Sequence, residues 1–269
     1  MDYKLTKYNT MSTNALKLWA IIAMVSDHLP YLSSMWQEQY YTWPWALMHM
    51  FGRITAPVFF YLLALGYRRT RNANRYTLRL LIFALLSYLP YIWYFKRALP
   101  NAQNFNDLNV IFTMLFGLLL LRAVHEVRNI PLKAIFIVLC LVCGYWCDYG
   151  LYGLALILIC DIARGNRRGT ILGMGAAMMI YVYMRTSSFF PESSDLFSSL
   201  SNMFHVQWMY ISLLVLLCQL LPLILIARHR VWVIGDNAEP RPGFFAKWGI
   251  YIFYPAHLTL LLLLQHSMY

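Results

Sequence analysis

The chain has 269 residues, 60% of them apolar and 12% charged, where soluble domains carry roughly a quarter charged. Mean hydropathy is +0.52 and apolar runs recur from residue 15 to residue 264, which excludes a soluble domain on a single anchor and makes a lipid bilayer the expected surroundings. The net charge of +11 sits in short basic blocks between those runs, a pattern that sets topology and meets lipid headgroups and leaves no surface for nucleic acid.

Taken in order, runs able to cross ~30 Å of hydrocarbon at roughly 20 residues each fall near 15–34, 46–67, 78–95, 108–122, 132–147, 150–163, 171–185, 206–227 and 248–265. Several are short and need thin surroundings or burial among neighbours. The expected fold is an all-α, polytopic integral membrane bundle of about nine helices, in a range of roughly 8–11. It forms one domain over 15–265, with tails at 1–14 and 266–269. The first run lacks a small-residue cleavage site and carries charge, so it reads as a retained helix and not a signal peptide.

Charge sets the orientation. All but Arg53, Lys96, Arg97 and Arg185 of the 22 basic residues fall in alternate segments that begin with the N-terminus, which places the N-terminus in the cytoplasm. On the opposite side, Trp36, Tyr40, Tyr41, Trp43 and Trp45 read as interfacial anchors, and a serine-rich loop covers Ser187 to Asn202. The five cysteines all lie inside apolar runs. Cys140, Cys143 and Cys147 are at helical spacing but are expected to act as small hydrophobes, and no histidines have metal-ligand spacing.

The first run holds Ser26-Asp27-His28-Leu29-Pro30, and ionisable groups at such depth point to function. Asp27 and His28 lie about six residues from the outer face and Arg53 about seven, so at ~1.5 Å per residue they share a layer roughly 10 Å deep. Neighbouring residues on a helix point about 100° apart, so Asp27 is badly placed to orient His28, and Arg53 across the helix interface is its expected partner. His28 is then available as an acid–base group, or else belongs to a network that only fixes packing. Pro30 opens the helix beside it and Pro57 is expected to kink the helix of Arg53.

Arg68, Arg69, Arg71, Arg75 and Arg79 follow within twelve residues, enough to hold the phosphates of a nucleotide-bearing molecule or anionic headgroups. Asp107 and Asn109 open the fourth run as caps, and Asp148-Tyr149-Gly150 forms a tight turn. Tyr254-Pro255-Ala256-His257 puts a second imidazole in mid-membrane, where an interhelical hydrogen bond is its ordinary role. P-loop, Rossmann, nucleophile-elbow and zinc-protease signatures are all missing.

These blocks, in this order, resemble the TraX family. The blocks are Leu16-Lys17 before Ser26-Asp27-His28; Gly52-Arg53-Ile54 through Pro57 to Gly66-Tyr67 and Thr70; Arg75-Tyr76 and Arg79-Leu80; Asn109-Val110 with Thr113 and Gly117; Asp148-Tyr149-Gly150 with Tyr152-Gly153; and Tyr254-Pro255 with His257-Leu258. The family's namesake is a conjugation-system protein that acetylates the N-terminus of pilin, and the family is more distantly similar to membrane acyltransferases. The resemblance implies a protein of the bacterial cytoplasmic membrane that uses acetyl-CoA as acyl donor and needs no metal. Its acceptor is an amine or hydroxyl at the outer face, on a pilin-like protein, a peptide or a glycan. It also implies roles: His28 with Asp27 for catalysis; Arg53, Arg68, Arg69, Arg75 and Arg79 toward the donor; Asn109, Asp148, Tyr149, Tyr254 and His257 in support. Read from the residues alone, a proton-coupled transporter using Asp27, His28 and His257, or a non-catalytic assembly factor, fits as well.

Overall fold

The computed structural model describes residues 10–32, 43–187, 218, 220–234 and 244–268. The aromatic stretch at 36–41, the side chains of Trp43 and Trp45, the loop at 188–202 and most of the run at 206–227 lie outside the described residues. What is described is all-α. Helices α1 (Thr13–His28), α2 (Trp43–Gly52), α3 (Thr55–Arg69), α4 (Ala73–Lys96), α5 (Val110–Glu126), α6 (Ile130–Tyr145), α7 (Gly150–Ile162) and α8 (Arg167–Ser187) are followed by the short α9 (Val231–Ile234) and by α10 (Phe244–Ser267). Residues 220–227 are also helical.

Helices α1, α4, α5 and α6 begin where a side chain satisfies one of their unpaired first N–H groups. Ser12 accepts from Ala15, Asn72 from Arg75, Asn109 from Ile111 and Asn129 from Leu132. The run expected near 46–67 is built as two helices broken at Arg53–Ile54, not as one kinked at Pro57. Pro57 stands in the first turn of α3, where a missing N–H removes no intrahelical bond.

Helix α3 is the buried axis, with Ala56, Val58, Phe60, Tyr61, Leu63, Ala64 and Leu65 enclosed. It packs on α1, α5 and α7, while α10 lies along α4 and reaches α1. On α4, by contrast, Leu78, Leu81, Ile82, Leu85, Leu86 and Leu89 are exposed. They recur at three- and four-residue steps and form one outward apolar stripe, the inverse of a water-soluble helix. Leu47–Arg69, Ala73–Lys96 and Trp248–Ser267 are long and apolar enough to cross a membrane.

The bundle has two chemically distinct ends. The last turn of α1, the first turn of α3, the last turns of α4 and the first of α7 meet at one end. The last turn of α3, the first of α4, the last of α5 and α7 and the first of α10 lie at the other, about 20 Å away along α3 at ~1.5 Å per residue.

Candidate active site

At the first of these ends α1 gives way at His28 to a 3₁₀ turn, Leu29–Leu32, that contains Pro30. His28 is buried, and its Nδ1 lies 2.8 Å from Nε2 of His257 on α10. The ring planes are 9° apart with centroids at 5.0 Å, which is the edge-to-edge arrangement of two rings joined by a nitrogen–nitrogen hydrogen bond. His257 Nδ1 is 2.9 Å from the Phe253 carbonyl. The Tyr94 hydroxyl donates to the His28 carbonyl at 2.7 Å. The Gln265 amide and Arg97 both donate to the Tyr31 carbonyl, at 2.8 and 3.2 Å, which pins the 3₁₀ turn.

Asp27 differs from expectation. Its Oδ1 lies 2.7 Å from Nδ1 of His49, and the other nitrogen of His49 is bonded by Arg53. The expected Asp27–Arg53 pair is thus a chain with an imidazole inserted in it. Gly52 makes this possible, because a Cβ there would fall 2.2 Å from the Cβ of Asp27. The Ser26 hydroxyl adds a bond to the Met48 carbonyl at 3.0 Å. His49 was not singled out from sequence. Its one signal was position, a turn ahead of Arg53 on the same helix face.

The turn between α6 and α7 closes the site. Asp148 N donates to the Leu108 carbonyl at 2.8 Å and Leu108 N to Trp146 at 3.2 Å. Gly150 takes a φ of +49°, open to glycine at little cost. Asp148 is exposed, with Arg53, Asp27, Lys96 and Tyr91 as its electrostatic and hydrogen-bonding neighbours. Loss of solvation among these neighbours pushes its carboxyl up to about 6, with Arg53 pulling the other way. Tyr149 is an electrostatic neighbour of Arg53, and buried Tyr254 is one of Asp148, Tyr149 and Asp27. Asn109 has no accessible surface. It caps α5 and its amide donates to the Ala84 carbonyl at 3.0 Å, which bolts α5 to α4. Asp107, the other expected cap, pairs with Lys96 at 2.7 Å.

The arginine run lies at the opposite end and is not one unit. Arg68 and Arg69 are half-buried where α3 stops, and Arg71 and Arg75 are exposed. Arg79 lies 5.5–5.9 Å from the rings of Tyr76, Trp248 and Tyr251, a stacked position. A second network here was also not read from sequence. His125 Nε2 lies 2.6 Å from Oδ2 of the buried Asp161. Arg122 reaches Glu126, Thr77 and Asn74, and Tyr67 donates to Glu126.

The structure therefore brings Asp27, His28, Arg53, Asp148, Tyr149, Tyr254 and His257 to one end and keeps Arg68, Arg69, Arg75 and Arg79 at the other. Together these define an α-helical protein with outward apolar faces, whose core holds an imidazole pair beside an acid–imidazole–guanidinium chain. It belongs to the TraX family, whose model, described as TraX protein, matches residues 12–265. The chain is also similar to the "Probable fimbrial assembly protein FimC, serogroup H1" of Dichelobacter nodosus, at 25% identity over 252 residues that span 91% of this chain and 92% of that protein. No solved structure matches it.

Proposed function

We propose that the protein is a transmembrane acetyltransferase of the bacterial cytoplasmic membrane, with its N-terminus and arginine end in the cytoplasm. Acetyl-CoA is the donor, and Arg68, Arg69 and Arg75 offer its phosphates charge at an accessible edge. Arg79 contributes through its stack on Trp248 and Tyr251. The acceptor amine or hydroxyl meets the thioester beside His28, at the far end. His28 takes the acceptor's proton, the new bond forms to the acyl carbon, the carbon–sulfur bond breaks, and the leaving sulfur recovers the proton. Asp27, through His49, fixes Arg53 beside Asp148 at the same end of the bundle, where its remaining N–H groups can face developing negative charge.

The observation that carries this reading is the hydrogen-bonded His28–His257 pair, an acid–base group set in an apolar bundle. Family membership supports acyl transfer, and the fimbrial relative's name supports a pilin-like protein or peptide as acceptor. The test is a sided one: proteoliposomes receive radiolabelled acetyl-CoA on one face and a membrane-impermeant peptide amine on the other. The reading expects label on the peptide from wild type and none from His28→Ala that reconstitutes equally well. Equal labelling by the two would remove His28 from the chemistry. Proton flux without labelling would replace the reading with the transporter.

A further inference from the structure

Among the described residues the site holds three imidazoles, and their partners fix where each carries its hydrogen. A neutral imidazole has one donor nitrogen and one acceptor. The Phe253 carbonyl can only accept, so His257 Nδ1 carries the hydrogen donated to it, 2.9 Å away. His257 Nε2 is then the acceptor in the 2.8 Å contact with His28. His28 Nδ1 must therefore hold its own hydrogen and donate it. That leaves Nε2 of His28 with a lone pair, and among the described residues it has no hydrogen-bond partner, while the residue keeps 8% exposure.

His49 yields to the same logic. A guanidinium only donates, so the nitrogen facing Arg53 accepts and Nδ1–H serves Asp27. Both nitrogens of His49 are engaged, as are both of His257. Of the three, His28 alone keeps a nitrogen that can receive a proton. The ordinary preference of a free imidazole is for the hydrogen on Nε2, so the tautomer at His28 is one the protein imposes.

We infer that His257, anchored by the Phe253 carbonyl, is the positioning residue that sets the tautomer of His28 and makes His28 Nε2 the proton-accepting atom. It does for this imidazole what a buried carboxylate does in a Ser-His-Asp triad, but with a neutral partner suited to an apolar interior. Tyr94 assists from α4 by holding the His28 carbonyl, so the backbone of the residue is held from α4 while its ring is held from α10. When Nε2 takes the acceptor's proton, the Nδ1–H bond to His257 persists and spreads the new charge onto a second ring. The identity of the proton donor rests on the acyl-transfer reading, whereas the tautomer does not.

The test is nuclear magnetic resonance of histidine-labelled full-length protein in nanodiscs, with His28 assigned by difference from His28→Ala and kcat and KM measured alongside. Wild type should show His28 with hydrogen on Nδ1. His257→Gln, which keeps an acceptor near the Nε2 position, should retain that tautomer and a kcat within about threefold. His257→Leu should move the hydrogen to Nε2 and lower kcat by ~10²-fold or more, with acceptor KM unchanged, as a misplaced tautomer does. His28 with hydrogen on Nε2 in wild type, or Gln and Leu variants that behave alike, would overturn the inference. The expected tautomers in a protein that transfers no acetyl in any form would uphold it and defeat the acyl-transfer reading instead.

Discussion

Where α3 begins, the acid and the cation are compensated: Asp27, His49 and Arg53 form one chain, and His28 is bonded to another neutral ring. Where α3 ends, cations outnumber acids among the described residues, and Arg71 and Arg75 are exposed. The difference follows from cost. A charge deep in an apolar bundle persists only when paired, whereas one at an interface can stay in excess and recruit an anion. The first arrangement suits moving a proton and the second suits holding phosphate.

The comparison breaks most sharply at His28. Replacing it with alanine should lower acetyl transfer by ~10²–10⁴-fold while leaving donor affinity near wild type, since the donor's phosphates are held at the other end. Gly52→Ala should follow. Its Cβ would meet Asp27 at 2.2 Å, so thermal unfolding should register about 1–3 kcal/mol of overpacking and transfer should fall with it. An unchanged melting curve would mean that Asp27 does not sit against Gly52.

Two smaller effects sharpen the contrast. Arg68→Ala with Arg69→Ala should raise the Kd for acetyl-CoA by about tenfold, on the order of 1.4 kcal/mol, without altering the pH profile of kcat. Asp148 is charged above about pH 6 and neutral below it. If its carboxylate draws in a cationic amine, the acceptor KM should rise as pH falls through 6. Asp148→Asn should remove that step, and a step that survived in the variant would assign it elsewhere.

Much of the fold was legible in hydropathy: the apolar runs that fall within the described residues are helical near their expected positions, the second of them as two helices. The Asp27–His28 pair stood out because such residues are costly where they lie. What could not be read were contacts set by packing. His28 and His257 are 229 positions apart, and no periodicity announces that α10 crosses α1 at that level. His49 looked like one more residue of an aromatic helix until the break after Gly52 turned it between Asp27 and Arg53. The arginine run looked uniform because Trp248 and Tyr251, which hold Arg79, come from the far end of the chain.

The division of labour between the two ends is tested most directly by titrating acetyl-CoA into the purified protein in nanodiscs, comparing wild type, His28→Ala and the Arg68→Ala, Arg69→Ala double variant by calorimetry. Saturable binding by wild type, kept by His28→Ala and weakened about tenfold in the double variant, is the predicted result. Binding lost with His28 and kept without the arginines, or no binding by wild type at millimolar concentration, would contradict it.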